Sequence, residues 1–321
     1  MNKNQFFYII ILLALPIAIA FYLIQETKHT TNSKNKLFVV CTTTMITDAV
    51  QKIGGTLIAV KGLMKPGVDP HTYRARESDI HALIAADIIF YNGLHLEGKL
   101  AEILEKLSTK TTIAIADALP KNQLLQSPEF ENLYDPHIWF DITLWMHVVT
   151  LIRDTLITHD PAHAALYTNN ADLYLEQLHN VHVRITQQIE IVPREQRILI
   201  TAHDAFNYFG RAYDFDVVGL QGISTESQAG TADIKKLVDL IVSKKIPTIF
   251  VESSVPQRTI QAVQQSAHAR SWPVAIGEEL YSDALGTKDS PAATYIDMMQ
   301  YTVDTITQAL LNRDHTSIPT S

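Results

Sequence analysis

Sulfur chemistry is nearly absent from this 321-residue chain, which holds a single cysteine, Cys41. An intramolecular disulfide is therefore impossible, and a two-cysteine metal site is excluded. Cys41 closes the apolar run Leu37-Phe38-Val39-Val40-Cys41, which reads as a buried strand carrying an inert core thiol. It does not read as a lipid-attachment cysteine, because Val40 stands where a small residue is expected. Basic residues are also scarce: 26 Lys and Arg against 34 Asp and Glu give a formal charge of −8. That balance argues against a nucleic-acid partner, since such binding rests on phosphate neutralisation by cations. The sequence has no Gly-x-Ser-x-Gly elbow, no Walker loop or other Gly-rich phosphate cradle, and no His-Glu-x-x-His helix. No short-period repeat or low-complexity segment appears.

What is present is an ordinary globular composition, 46% hydrophobic and 19% charged, long enough for two domains each with its own core. The N-terminus carries an address. Lys3 precedes an apolar run from Phe6 to Ile24, and Ala18-Ile19-Ala20 offers a small-residue cleavage site before Phe21. Export is the expectation. The run is also just long enough to span a bilayer core of ~30 Å, so an uncleaved membrane anchor is the alternative to a cleaved signal.

Beyond a polar linker at 25–36, apolar periodicity alternates between strand and helix. Strands are expected at Leu37–Cys41, Leu57–Leu63, Ile88–Tyr91 and Thr112–Ala116, and helices at Thr44–Ile53, Arg76–Ala86, Lys99–Leu107 and Trp145–Thr158. From Asp160-Pro161, with Asp as N-cap, one helix reads on to about Ile191. The second half repeats the pattern. Strands are expected at Arg197–Thr201, Val217–Leu220, Thr248–Glu252 and Val274–Ile276. Helices are expected at His203–Tyr213, Thr231–Lys244 (capped by Thr231 and Asp233), Arg258–Ala269 and Pro291–Leu311. Such alternation predicts parallel βαβ units. The expected fold is α/β: two lobes with parallel central sheets, joined by one long rigid helix. The expected boundaries are 1–36 signal or anchor and linker, 37–160 N-terminal lobe, 161–191 connecting helix, 192–313 C-terminal lobe and 314–321 tail.

Four short segments carry the chemistry: Asp69-Pro70-His71, Asp135-Pro136-His137, Thr201-Ala202-His203-Asp204 and Tyr281-Ser282-Asp283. Each lies next to an apolar segment in a turn-like stretch. Proline fixes φ and stiffens the backbone that presents the following histidine. Three imidazoles and one carboxylate make a full shell for a first-row divalent metal. Strand ends place His71 and His137 in the first half and His203 and Asp283 in the second, the division a clamshell binder uses. Glu252, at the end of an apolar strand, and Asp141, four residues after His137, are candidates to hydrogen-bond a ligating histidine from behind.

Six ordered segments resemble the zinc/manganese-binding solute-binding proteins of ABC transporters, the TroA-like group. They are Asp-Pro-His-Thr-Tyr at 69–73, Tyr-Asn-Gly-Leu-His-Leu-Glu at 91–97, Asp-Pro-His-Ile-Trp at 135–139, Thr-Ala-His-Asp-Ala-Phe at 201–206, Gly-Ile-Ser-Thr-Glu at 222–226 and Tyr-Ser-Asp-Ala-Leu-Gly at 281–286. The resemblance implies one metal between two lobes, held by His71, His137, His203 and Asp283, and delivery to membrane permease subunits rather than catalysis. The cargo is expected to be Mn²⁺ or Zn²⁺, with Fe²⁺ admitted. Only His81 and His95 lie between the first two candidate ligands, so the His-rich loop of many zinc-specific relatives is missing. His203 stands where many manganese-specific relatives carry Glu. A periplasmic monomer is expected. The competing readings are a secreted zinc hydrolase, with Glu252 as general base at an open coordination position, and a surface adhesin.

Overall fold

The computed structural model describes residues 36–107, 111–127 and 133–311. The expected leader, most of the linker and the tail at 314–321 lie outside these residues. Among the described residues, no helix is long and apolar enough to cross a membrane.

Strand β1 (Leu37–Cys41) passes directly into α1 (Thr44–Gly54). Thr43 caps this helix by accepting the Ile46 N–H, and Gly55 ends it at φ +54°, a left-handed value that glycine adopts without strain. The apolar residues Met45, Ile46, Ala49, Val50 and Ile53 share its buried face. Strands β2 (Ile58–Gly62), β3 (Ile88–Tyr91) and β4 (Thr111–Ala114) complete a parallel sheet of order β2-β1-β3-β4. Val39 pairs with both Val60 and Ile88. Helices α2 (Glu77–Ala85) and α3 (Gly98–Lys106) cross between its strands.

The second lobe repeats the plan. Strands β5 (Ile198–His203) and β6 (Asp216–Gln221) form one parallel pair, and β7 (Thr248–Ile249) and β8 (Ala275–Ile276) form another. The Phe250 N–H donates to the Ile200 carbonyl and so sets β7 against β5. Helices α6 (Asn207–Tyr213), α7 (Thr231–Lys244), α8 (Arg258–His268) and α9 (Tyr295–Leu311) complete the lobe. The expected α/β architecture with parallel sheets is present.

Between the sheets lie α4 (Ile142–His159) and the 27-residue α5 (Ala164–Glu190), about 40 Å long at 1.5 Å per residue. The buried face of α5 carries Tyr167, Ala171, Tyr174, Leu178, Val181, Ile185 and Ile189, steps of three or four that mark one helical stripe. It packs against α1 and α4 from the first lobe and α9 from the second. Each lobe has a buried cluster of its own, with Val40, Leu83, Ile89 and Leu100 in the first and Ile200, Val238, Ile249 and Val263 in the second. A third and larger cluster runs from Met45 through Trp145 and Tyr174 to Phe209, Tyr295 and Met299, so the strut is embedded in apolar contact on both sides. Asp48 on α1 ties the same elements together, accepting the Tyr295 N–H at 3.1 Å and the Tyr174 hydroxyl at 3.5 Å.

Four local expectations change. His203 ends β5 instead of opening a helix, because His203 still pairs with Gln221 and α6 begins only at Asn207. Asp160 does not cap with its side chain; its Oδ2 lies 2.7 Å from His163 Nδ1 and accepts the Tyr167 hydroxyl, and a 3₁₀ turn precedes α5. The cap of α7 is Gly230, whose N–H donates to Asp233. Beyond Ile249 the expected strand continues only as a bridge between Glu252 and Leu280.

Gly219 permits the close pairing of β6 with the end of β5. A Cβ there would fall 2.5 Å from the His203 carbonyl carbon and closer still to the Asp204 nitrogen. Gly219→Ala is expected to lower stability by about 1–3 kcal/mol, the usual cost of overpacking. Denaturant unfolding checks this, and an unchanged midpoint contradicts the packing described.

Candidate metal centre

The two Asp-Pro-His segments fold as the same turn. The His71 N–H donates to Asp69 Oδ1 at 2.9 Å, and the His137 N–H donates to Asp135 Oδ1 at 2.9 Å. Each aspartate thus caps the backbone two residues on while proline fixes the intervening φ. His203 projects from the last position of β5, and Asp283 from the loop after β8.

These four residues meet in the cleft. All are buried, and one candidate ligand atom from each lies within 4.8 Å of the others. The three imidazole centroids are 5.2–5.8 Å apart. His137 Nε2 lies 3.5 Å from Asp283 Oδ1, and His203 Nε2 lies 3.3 Å from Oδ2. Both Asp283 oxygens thus face the imidazoles, at separations close to the ~3.3 Å between donors that share one ion at bonds of ~2.0–2.1 Å. His71 Nε2, His137 Nε2, His203 Nε2 and Asp283 Oδ1 are all buried without a hydrogen-bond partner. Orphaned lone pairs in a dry site are costly, and four converging on one point are what a divalent cation satisfies.

Carboxylates stand behind two of the imidazoles. Asp135 Oδ1 is 2.7 Å from His137 Nδ1. Glu252 grips His203 twice: Oε1 accepts the His203 N–H at 2.9 Å, and Oε2 lies 2.6 Å from Nδ1. Each fixes the tautomer that leaves Nε2 free and raises its basicity. Glu252 thus lies behind the His203 ring. Asp141 does not face His137. It caps α4 by accepting the Thr143 and Leu144 N–H groups and pairs with Arg211 at 2.9 Å. The carboxylate at His137 is Asp135, whose Oδ2 and carbonyl accept from Asn207 (3.0 Å) and the Tyr208 hydroxyl (2.9 Å).

A second support was not anticipated either. Asn92 donates to the Pro136 carbonyl at 3.0 Å and so holds the His137 turn. Buried Glu97 accepts the Asn92 and Gly93 N–H groups and the Thr42 hydroxyl. The turn it pins is strained, with Leu94 and His95 at φ +52° and +64°. The sequence signal was the motif at 91–97, whose polar residues had no assigned task.

Charge follows geometry. Burial holds the His71 pKa down at about 3; Asp283 opposes this, and His137 and His203 add to it. Burial also pushes His137 and His203 down, but neighbouring carboxylates outweigh it. Asp135 and Asp283 raise His137, while Glu252 and Asp283 hold His203 well above its usual value. Asp283 resists the upward push of burial because His203 and His137 keep its carboxyl well below the usual range.

A profile of the ZnuA family, zinc-uptake complex component A, periplasmic, matches residues 39–309. The chain belongs to this family. It is 43% identical over 280 residues to the manganese-binding lipoprotein MntA of Bacillus subtilis, covering 87% of this chain and 91% of that one. It is 42% identical over 276 residues to the zinc-binding protein TroA of Treponema pallidum, covering 86% and 89%. The solved structure of that periplasmic TroA superposes with a TM-score of 0.84, at 41% identity, over 86% of this chain and 99% of that one. The resemblance to TroA-like solute-binding proteins is thereby established, together with their two-lobed fold.

Neighbouring carboxylates raise both His137 and His203, so protons compete with a metal for these rings. Affinity is therefore expected to keep rising with pH above ~6.5, where free histidine is already neutral, with protons released as the ion binds. Calorimetry in buffers of different ionisation enthalpy measures this, and no release at pH 7 contradicts it. Glu252→Gln is expected to weaken metal binding about 10–100-fold and to shift the pH dependence downward.

Proposed function

We propose that this ZnuA-family chain is the capture component of an ABC importer. It takes up one divalent transition metal, Mn²⁺ or Zn²⁺, outside the cytoplasmic membrane and hands it to permease subunits. His71, His137, His203 and Asp283 are its ligands in this reading. The observation that carries it is the convergence of four buried, unpartnered ligand atoms from two lobes. The relatives named above support both metals, one being called manganese-binding and the other zinc-binding. Fe²⁺ lies between Mn²⁺ and Zn²⁺ in affinity for such a nitrogen and oxygen set, so supply decides among them in the cell. A periplasmic setting agrees with the family description.

The hydrolase reading finds less support. It needs an open coordination position and a base beside it. Four convergent protein ligands close the shell. Glu252, the base it would draft, is engaged with the backbone and Nδ1 of His203, on the side of the ring away from Nε2. The adhesin reading gains no specific observation.

The test is metal content by mass spectrometry on protein from its native compartment, beside His203→Ala. One equivalent of Mn or Zn is expected in the wild type, and its loss in the variant. Wild-type metal content in His203→Ala would remove the ligand assignment.

A further inference from the structure

The two lobes meet on two sides of the four candidate ligands, and the two sides are built differently. Beside His137 and Asp283 the junction is buried and bonded at several points. The Trp139 indole N–H donates to the Ser282 carbonyl at 2.9 Å, one residue from Asp283, and the Tyr295 hydroxyl donates to the Trp139 carbonyl at 2.6 Å. Asp135 accepts from Asn207 and Tyr208, and the Leu285 N–H donates to the Thr44 hydroxyl at 2.7 Å. Phe140 and Phe206 pack across the same junction with ring centroids 4.3 Å apart. These contacts tie His137, on the first lobe, to the lobe that carries His203 and Asp283.

Beside His71 the junction is thin. The Thr225 hydroxyl donates to Asp69 Oδ2 at 2.6 Å, and Lys99 pairs with Glu226 at 3.5 Å. Apart from Ile223, the second-lobe loop at 222–228 that makes both contacts is half-buried or exposed. Open space lies next to it. A cavity of about 510 Å³ is lined by His71, Lys99 and Tyr134 from one lobe and by Ile223 and Glu226 from the other. Asp69 and Thr225 themselves line a second cavity of about 300 Å³. Half-exposed hydrogen bonds with few packed neighbours are the first to open. The larger cavity has room for a divalent ion and its shell of waters, each taking ~30 Å³.

We infer that the metal enters and leaves past His71, through the larger cavity, with the Thr225–Asp69 hydrogen bond as the latch on that route. His137, His203 and Asp283 stay together as a three-ligand half-site. His71 closes the shell behind the ion and is the first ligand released. The inference rests on the proposed ligand set. Asp69 holds the His71 N–H through Oδ1 and Thr225 through Oδ2, so losing the Thr225 bond leaves the His71 turn in place. The latch therefore sets the rate of exchange and not the strength of binding.

The test follows Zn²⁺ by stopped flow, with a chromogenic chelator in excess for release and chelator competition for affinity. Thr225→Val keeps the shape and removes the hydroxyl. It is expected to raise the binding and release rate constants about tenfold each, the worth of one charge-assisted hydrogen bond, with Kd within about threefold of wild type. Thr225→Ser, which keeps the hydroxyl, is expected to behave as wild type. A second protein carries Lys99→Cys and Glu226→Cys joined by a short bis-maleimide, for which buried Cys41 does not compete. The cross-link is expected to slow release about tenfold or more, and it reports even if Thr225→Val does not fold. Wild-type rates in Thr225→Val overturn the latch. Faster release with an unchanged binding rate and a proportionally weaker Kd also overturns it, since Thr225 would then serve only to position the ligands. Unchanged release from the cross-linked protein overturns the route while leaving the ligand set intact. Full metal binding by His203→Ala removes the ligand set, and the inference with it.

Discussion

Everything in this molecule is arranged around the pairing of buried imidazoles with buried carboxylates. Removing three histidines from water costs the site its solvent hydrogen bonds, and four candidate ligand atoms are left without a hydrogen-bond partner. Asp135 and Glu252 offset part of that cost from behind, and Asp283 from within the site. A carboxylate at Nδ1 does three things at once. It fixes ring orientation, leaves Nε2 as the free lone pair, and makes that lone pair a better donor to a cation. His71 has no such partner and is neutral through burial, so the three imidazoles are not interchangeable.

The scaffold serves this arrangement by bringing donors from distant parts of the chain to one point and keeping them there. Parallel sheets put strand ends, and hence His203 and Glu252, at the cleft. The α4–α5–α9 layer then holds the two lobes through a shared apolar cluster. The interlobe contacts use the same residues that shape the site: Asp69, which caps the His71 turn, also accepts the Thr225 hydroxyl at 2.6 Å. Lys99 pairs with Glu226 at 3.5 Å beside it, an exposed contact of minor energetic weight. The position of His71 is in this way coupled to the seating of one lobe on the other.

Much of this was legible in the sequence because it depends on local rules. Apolar periodicity placed every strand and most helix ends to within a few residues, and the helical reading from Asp160-Pro161 to about Ile191 announced the strut. The Asp-Pro-His repeat announced two rigid turns. What escaped was whatever depends on which side chains meet. Asp141 and Asp135 are both close to His137 in sequence, and only the turn geometry makes Asp135 the partner, since its carboxylate already accepts the His137 N–H. Asp141 is spent on the helix that follows. His203 was read as the first residue of the helix to Tyr213. Its strand identity comes from pairing with Gln221, eighteen residues away and invisible to a local window. The shared core was hidden for the same reason.

The charge balance of the site explains how it serves a cation without being committed to one. Asp135 and Glu252 stand behind two of the imidazoles and Asp283 stands against the same two from within the site, and these carboxylates raise His137 and His203. A divalent ion requires neutral ligands, so it competes with protons for both rings. Capture is then an exchange of cations within a fixed frame of carboxylates. The exchange discriminates by how donors are arranged and by how firmly each proton is held, because every first-row divalent ion brings the same charge. The arrangement of donors thus acts together with metal supply, and Asp135 and Glu252, behind the candidate ligands, set the orientation of two of the rings.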